Sequence, residues 1–265
     1  MADAITERVR LLTVDPETEL HVSIAGGRKT MGFYLGYALS LFGRPQDRLS
    51  HVLVSEPFES SWDFFYPTPH SRVITTRDNK LADTAQAHVI LAQIPFVRLR
   101  ETLPERLLDT KARFSEAVAF ANRAPGEPCL KLQASSRQAV ADDLEIPLGT
   151  VEFGLLHWLA ERTLQGEPPV DWGDAKAADE FLGVMSRLIN SYSNEYGRIE
   201  SAIAWRRSSA KNLGEYFEPQ KSRIGTALRQ ALGKVAAARY EIKRTGARGQ
   251  SRYFLPLAPE QIEIS

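Results

Sequence analysis

The chain has 265 residues, 43% of them hydrophobic and 25% charged, and its acidic and basic residues balance to a formal net charge of zero. This length and apolar content can support two domains with separate cores. No apolar run reaches the roughly 18 residues that a membrane span needs, and the first residues lack the basic and apolar regions of a signal peptide, so we expect a cytoplasmic protein without a membrane partner. The single cysteine, Cys129, excludes an internal disulfide and a thiolate zinc site, and we expect it to be a partly buried small side chain.

The first predicted elements are a helix over Ala2–Leu12 and a short apolar strand at Leu20–Ile24 that runs into two glycines and then an amphipathic helix. Glycines at these positions permit positive φ, so that successive amides and the positive end of the helix can point at one phosphate. Two mobile cations follow the glycines, and Thr30 is expected both to cap the helix and to donate to a phosphate oxygen. The segment predicts a site for a phosphate ester, although a glycine turn with solvated cations is the alternative. The candidate ligand-binding residues are Ala25, Gly26, Gly27, Arg28, Lys29, Thr30 and Met31.

This segment differs from two common phosphate loops. A Walker A loop requires G-x-x-x-x-G-K-[ST], whereas here Arg28 separates the glycine pair from Lys29-Thr30. A dinucleotide loop requires G-x-G-x-x-G and an acidic residue at the spacing of a ribose clamp, and neither is present. We therefore expect neither ATP hydrolysis nor a dinucleotide cofactor.

The string GGRKTMGFYLGYALSLFGRPQDRLSHVLVSEPFE, with Phe64-Phe65-Tyr66-Pro67 and Ile94-Pro95-Phe96-Val97-Arg98-Leu99-Arg100 after it, resembles the CRISPR-associated Rossmann-fold (CARF) family of cyclic oligoadenylate binders. The resemblance is closest to the branch typified by ring nucleases. It is dense from about Leu20 to Arg100 and fades beyond. It implies a homodimer with one pocket across its two-fold axis for a ring of 3′,5′-linked adenylates, the second messenger of type III CRISPR complexes. It also implies that Arg28 and Lys29 contact the phosphates of that ring.

The chain departs from this family at its beginning. Family members normally start with a strand and a small-residue or hydroxyl loop that forms the other wall of the pocket, followed by further strands and helices. Here Met1 lies only one helix upstream of the glycine segment. The resemblance therefore implies a late start or a natural or engineered fragment, and a half-built sheet that exposes an edge and apolar faces.

Other candidate chemistry in this region is weak. The string Arg44 to His51 fits the R-x4-6-H motif of CRISPR ancillary ribonucleases, but it spans a turn and ends on an apolar strand, so we expect His51 to be structural. The carboxylates of Asp83 and Glu101 have no partner at a recognisable spacing. The five histidines show no metal-ligand spacing either, so neither a metal nor a cofactor is expected; they stand at positions 21, 51, 70, 88 and 157.

The second half of the chain predicts short strands, several helical stretches and a terminal hairpin. Short strands are predicted at 130–132 and 139–140. A helix capped by Thr150 is predicted over Val151–Thr163, and the glycine and prolines of residues 166–169 interrupt the secondary structure after it. A long helical stretch, Ala175–Ile203, and a basic helix, Lys221–Leu232 with Gly233 as C-cap, follow. The last predicted element is a β-hairpin made of residues 239–243 and 252–255, with Arg248 in its loop. Strand, helix, helix, basic helix and hairpin is the order of a winged helix-turn-helix, and the stretch resembles the response-regulator type, with the hairpin as its wing.

Basic residues are concentrated in this half. Residues 195–253 hold thirteen Lys or Arg against five Asp or Glu, a local excess that suits a polyanion, although a solvated helical face is the alternative. Many winged helices serve only as dimerisation or docking modules, and the basic helix offers few residue types that read base edges. The candidate nucleic-acid contacts are Arg223, Arg229, Lys243, Arg244 and Arg248.

The expected fold is α/β: a partial Rossmann-like CARF domain over residues 1–125, then an α+β winged-helix domain with a helical insertion over residues 126–265. Two functions are compatible with it. The first is a metal-independent ring nuclease that opens cyclic oligoadenylate, with cyclic tetra-adenylate as the expected ring and Lys29 as the catalytic residue. The second is a regulator that binds the ring without turnover and acts on DNA or on a CRISPR partner through the winged helix.

Overall fold

The computed structural model describes residues 1–59, 61–109, 112–123, 126–208, 213–247 and 250–265. The chain divides into two units: unit 1 consists of Met1–Arg100 and Leu107–Ala121, and unit 2 of Glu101–Arg106 and Asn122–Ser265. Both contain helices and strands, so the chain is of the mixed α/β type. Within the described residues, no helix combines the length and the apolar character needed to cross a membrane.

The elements of unit 1 alternate helix and strand at first and then become strand-rich. In chain order they are α1 (Ala2–Leu12), β1 (His21–Ser23), α2 (Lys29–Phe42), β2 (Arg48–Val54), β3 (Val73–Thr75), β4 (Leu81–Asp83), β5 (Val89–Gln93), α3 (Glu105–Leu108), which crosses the boundary between the units, and α4 (Phe114–Ala121). β1 and β2 are parallel, as the α2 crossover between them requires, and β5 pairs antiparallel with β2. β3 and β4 form a separate hairpin.

Three arginines, of which Arg44 is buried, hold the end of the sheet where β1 and β2 begin. The Arg44 guanidinium lies 2.8 Å from the Asp47 carboxylate, and the same carboxylate accepts the amide of Leu20 just before β1. Arg98 donates to the carbonyls of Arg44 and Asp47, and Arg100 donates to the carbonyl of Phe42 at the end of α2. These bonds satisfy backbone groups at this end of the sheet.

The sheet of unit 1 exposes apolar side chains, as its expected edge and open faces predict. Val52 and Leu53 on β2 are exposed, and so are Val89, Ile90 and Leu91 on β5. Consecutive residues of a strand point to opposite faces of a sheet. Both faces of the β2–β5 ladder are therefore open near the carboxyl end of β2.

Unit 2 combines a four-stranded sheet with a helical core. In chain order its elements are β6 (Leu130–Gln133), β7 (Gln138–Ala141), β8 (Leu144–Ile146), α5 (Thr150–Leu164), α6 (Ala175–Leu188), α7 (Asn194–Ser208), α8 (Gly214–Leu232), α9 (Lys234–Ala237), β9 (Lys243–Thr245), β10 (Arg252–Phe254) and β11 (Ile262–Ile264). The sheet order is β11-β6-β7-β8, with β11 parallel to β6 and the other pairs antiparallel. β9 and β10 form a hairpin, and an isolated bridge joins Val170 to Tyr253 of β10.

Aromatic side chains fill the core of unit 2. Trp172 stacks on Tyr253 with ring centroids 3.6 Å apart and nearly parallel planes, while Trp158 and Phe181 pack around Phe217 of α8. The predicted apolar face of α5 is buried, and Cys129 is partly buried as expected. The β9–β10 hairpin and the N-terminal half of α8 are therefore attached to one aromatic cluster.

Several predicted boundaries in unit 2 are wrong. The stretch Ala175–Ile203 is two helices, because Ile189 is extended and Asn190 accepts the amide of Tyr192 before α7 begins. α5 begins at Thr150 after Gly149 rather than being capped by the Thr150 side chain.

The basic helix and the hairpin also differ from the prediction. α8 begins at Gly214, because Tyr216 and Phe217 continue its buried face, although its predicted C-cap Gly233 is confirmed at φ +80°. Residues 239–242 are not part of the hairpin, since the chain makes a turn there that buries Tyr240.

Candidate functional site

The loop after β1 has the open backbone that its two glycines predict. Ile24 still pairs with β2, its amide lying 2.9 Å from the Ser50 carbonyl, and the next amide, of Ala25, donates to the Ser23 hydroxyl. The chain then turns away through Gly26 and Gly27, whose φ angles are +78° and +74°. A side chain rarely adopts such angles, so glycine is required by the backbone here. No atom lies within 4 Å of the position that a Cβ would take at either glycine, so the outer side of the loop is open.

The loop ends where α2 begins. Arg28 is the N-cap residue, with β-region dihedrals of −78° and 141°, and its carbonyl accepts the amide of Met31 at 2.8 Å. The expectation that Thr30 caps this helix is therefore wrong: Thr30 is the second helical residue, because the first intrahelical bond already closes onto Arg28. No side-chain cap hydrogen bond forms at this end, and no acidic residue stands in the first turn.

Hydrogen-bond donors are left without acceptors in this segment. The amides of residues 26–30 donate to no other residue that the structure describes. All seven predicted ligand-binding residues, Ala25 to Met31, are exposed. Unsatisfied amides at a helix N-terminus carry partial positive charge, which favours an anion.

The two cations of the segment add to this charge. Among the described residues, no carboxylate lies within ion-pair distance of Arg28 or Lys29. Arg44, Arg98 and Arg100, by contrast, are all used in bonds to backbone or to Asp47. Within the described residues, the charge of Arg28 and Lys29 is thus uncompensated, and it lies after the carboxyl end of β1, at the edge where ligands bind in open α/β sheets.

His21 and Ser50 form a polar pair between β1 and β2. The His21 Nε2 atom is 2.8 Å from the Ser50 hydroxyl, and Ser50 is fully buried whereas His21 is exposed. The pair therefore links two adjacent parallel strands, of which β1 leads into the loop.

Other candidates from the sequence have structural partners. Asp83 accepts the Ser71 hydroxyl and the amides of Ala85 and Arg72, which hold the pKa of its carboxyl below the usual value. Glu101 pairs with Lys234 at 2.8 Å. Arg44 is buried in its pair with Asp47 while His51 is half-buried on β2, so the two do not share a cleft as the ribonuclease motif requires. No group of three metal-ligating side chains is found in the part of the chain that the structure describes.

Several arginines of the basic stretch pair with carboxylates, some from within the stretch and some from other parts of unit 2. Arg223 pairs with Glu152 at 3.0 Å, and Arg229 pairs with Glu241 at 2.5 Å. Arg207 is likewise paired with Asp179. Of the candidate contacts on the hairpin, Lys243 is half-buried and Arg244 is exposed, while Arg248 lies outside the described residues.

Three aromatic side chains in unit 1 were given no role by the sequence analysis. Trp62 is 89% exposed, Phe65 77% and Tyr66 66%, all in the segment that follows β2. Their density between residues 62 and 66 is a signal that the sequence already contained.

The comparisons with known proteins concern the segment that holds this site. Residues 1–125 match the family model described as CRISPR-associated protein NE0113. No curated protein and no solved structure matches the chain. The family match supports a CRISPR-related function.

Proposed function

From this match and the anion site inside it, we propose that the chain is a ring nuclease that binds cyclic oligoadenylate, with cyclic tetra-adenylate as the expected ring, and opens it without a metal. The observation that carries the proposal is the segment 26–30 after the carboxyl end of β1: within the described residues, its five amides donate to no acceptor and its two cations have no ion-pair partner. A phosphodiester ring carries several phosphate charges but has no terminal phosphate. The segment also lacks the Walker A spacing, whose lysine binds the terminal phosphates of a nucleotide, so it fits such a ring. The proposal includes a homodimer, which the exposed apolar faces of β2 and β5 support.

The proposed reaction needs positioning more than a protein nucleophile. A ribose 2′-oxygen attacks the neighbouring phosphorus in line, the 5′-oxygen leaves, and the products end in a 2′,3′-cyclic phosphate and a 5′-hydroxyl. The 2′-hydroxyl loses a proton and the leaving oxygen gains one, so no co-reactant is required. Lys29 would stabilise the charge that develops on the phosphorane oxygens, with the amides of Gly26 and Gly27 assisting.

The test uses the full chain with cyclic tri-, tetra- and hexa-adenylate in excess EDTA. Products are separated by chromatography and binding is measured by calorimetry on the same preparations. We expect linear adenylates with a 2′,3′-cyclic phosphate end from one ring size. Tight binding without products would replace turnover by sensing, and no binding of any ring would overturn the proposal.

The second candidate is a ring-gated regulator, and one feature of unit 2 favours it. The bridge between Val170 and Tyr253 adds a third short strand segment to the β9–β10 hairpin, between helices α5 and α6 in the chain. A three-stranded wing beside a helix such as α8 is the arrangement in which winged helices present basic side chains to DNA. The exposed Arg244 and Arg252 lie on this hairpin.

Salt-dependent DNA binding tests this candidate. Each phosphate contact contributes about 0.9 to the slope of log K against log salt concentration. Arg244→Ala should reduce the size of that slope by about 0.9, the value for one contact. Arg223→Ala is the matched control, because the Arg223 guanidinium is paired with Glu152. A ring-dependent change in DNA affinity supports the regulator, and DNA affinity that is equal with and without ring contradicts it.

A further inference from the structure

The segment after β2 carries aromatic side chains in two classes. Phe58 is buried, and its ring centroid lies 5.0 Å from that of Phe64. These two rings pack with Val54, Ile74 and Ala82 in a small core beside the end of β2. Trp62, Phe65 and Tyr66, which we call the aromatic triad, are instead exposed to solvent. Phe58 and Phe64 therefore attach the segment to the rest of unit 1, and the triad takes no part in this small core.

Turns hold this segment in place. The Phe58 amide donates to Ser55, the Ser61 amide to Phe58 and the Phe64 amide to Ser61, with distances between 3.1 and 3.4 Å. Within the described residues, the triad makes no ring contact or hydrogen bond of its own. Three exposed aromatic rings within five residues are the kind of apolar surface that marks an interaction site.

The segment that carries the triad leaves the sheet at the same edge as the proposed anion site. β1 and β2 are parallel, so residues 24–28 and 55–59 both follow a carboxyl end at that edge, and Trp62 comes eight residues after the end of β2. Ser23 pairs with Ser50, and β2 continues four residues further to Val54, which corresponds to about 13 Å along the strand. A ligand that touches both must therefore extend beyond one phosphate group.

We infer that the aromatic triad is a stacking platform for nucleobases of the ligand whose phosphates bind at residues 26–30, an inference that rests on the proposed function. Flat aromatic rings stack on any base, and such contacts supply affinity in single-stranded nucleic-acid sites. Glu59 and Asp63 are exposed on the same loop. Their carboxylates disfavour a phosphate there and can accept hydrogen bonds from an exocyclic amino group, which favours adenine over a base with a carbonyl at that position.

The test compares ring binding by four full-chain variants. Trp62→Ala should raise the Kd for cyclic tetra-adenylate by about tenfold, which corresponds to about 1.4 kcal/mol of binding free energy. Trp62→Phe should have a Kd near that of the wild type, because phenylalanine keeps an aromatic ring. Phe65→Ala, the third variant, should also weaken binding. Tyr192→Ala is the matched control, since Tyr192 is 96% exposed but lies in unit 2.

Tryptophan emission gives a second measurement on the same samples. Stacking of a base on Trp62 should change the emission of the wild type when the ring is added, and Trp62→Phe should bind the ring without that change. Wild-type binding with unchanged affinity in Trp62→Ala and Phe65→Ala would overturn the inference alone and leave the triad as a surface for a protein partner. Absence of ring binding by the wild type would overturn both this inference and the proposed function.

Discussion

Arg44 and Asp47 form a buried ion pair three residues apart at the start of β2, and the Asp47 carboxylate also holds the amide of Leu20 before β1. The side chain of Asp47 has no exposed surface in this arrangement. One carboxylate thus aligns the starts of the two parallel strands, and the proposed anion site follows the far end of β1.

Asp47→Asn should destabilise unit 1 by about 3–5 kcal/mol, because Arg44 would remain buried without its counter-charge. Glu19→Gln is the control: it removes the exposed pair between Glu19 and Arg48 and should cost less than about 1 kcal/mol. Hydrogen exchange of peptides from residues 20–54 in a urea series measures both. Equal protection in the two variants would contradict the structural role of the buried pair.

The same pair makes the stability of unit 1 sensitive to acid. Burial alone would raise the pKa of Asp47, but the hydrogen bonds from Arg44 and from the Leu20 amide outweigh it and hold that pKa below its usual value. A lowered folded-state pKa contributes stability that is present above about pH 4 and is lost as the pH falls further. Asp47→Asn should therefore show a flatter loss of protection below about pH 4 than the wild type.

Lys29→Ala should lower the single-turnover rate of ring opening by about 10²- to 10³-fold at saturating ring, because it removes charge stabilisation from the transition state. Some binding should persist through Arg28 and the amides. Lys80→Ala, an exposed lysine on the turn between β3 and β4, is the control and should leave the rate unchanged. A normal rate in Lys29→Ala would remove Lys29 from the proposed mechanism.

Gly27→Ala should reduce ring affinity by about tenfold while the chain still folds. The left-handed backbone costs about 1–2 kcal/mol for a side chain, and the open space around Gly27 adds no clash in the free protein. Gly166→Ala is a matched control, since Gly166 has φ +68° and equally open space but lies in unit 2. Similar stability losses with an affinity loss only in Gly27→Ala would show that the ligand uses the open side of the loop. Unchanged ring affinity in Gly27→Ala would argue against close approach.

His157 should make unit 2 less stable in mild acid. It is buried, neither ring nitrogen has a hydrogen-bond partner in the described residues, and burial lowers its pKa despite the nearby Glu161. Below about pH 6.5 the His157 imidazole becomes protonated in the unfolded chain but stays neutral in the folded unit. The free energy of unfolding therefore decreases by at most about 1.4 kcal/mol for each unit by which the pH is lowered. His157→Phe should flatten that profile in urea titrations between pH 5 and 7.5. A profile as steep as that of the wild type would assign the effect to other groups.

Local features of the site could be predicted from the sequence, whereas tertiary ones could not. The strand, the glycine pair with positive φ and the following helix depend on neighbouring residues, and the structure has them in that order. The position of the N-cap shifted from Thr30 to Arg28 because the first helical hydrogen bond, rather than the nearest hydroxyl, determines where α2 begins. The break between α6 and α7 was missed because it depends on a side-chain bond of Asn190 within a continuous apolar pattern.

The basic stretch shows the limit of counting charges along a chain. Residues 195–253 carry a clear positive excess, yet Glu152 and Asp179 come from distant sequence and pair with Arg223 and Arg207. Only folding brings these carboxylates to the arginines. The number of cations available to a polyanion is therefore smaller than the sequence indicates.

The stacked Trp172 and Tyr253 have a consequence for how unfolding is observed. Of the four tryptophans, 158, 172 and 205 belong to unit 2, and Trp158 and Trp172 are almost fully buried. Trp62, in unit 1, already faces water in the native state. A red shift of tryptophan emission during denaturation will thus report the unfolding of unit 2. Unit 1 could unfold with almost no change in the emission wavelength.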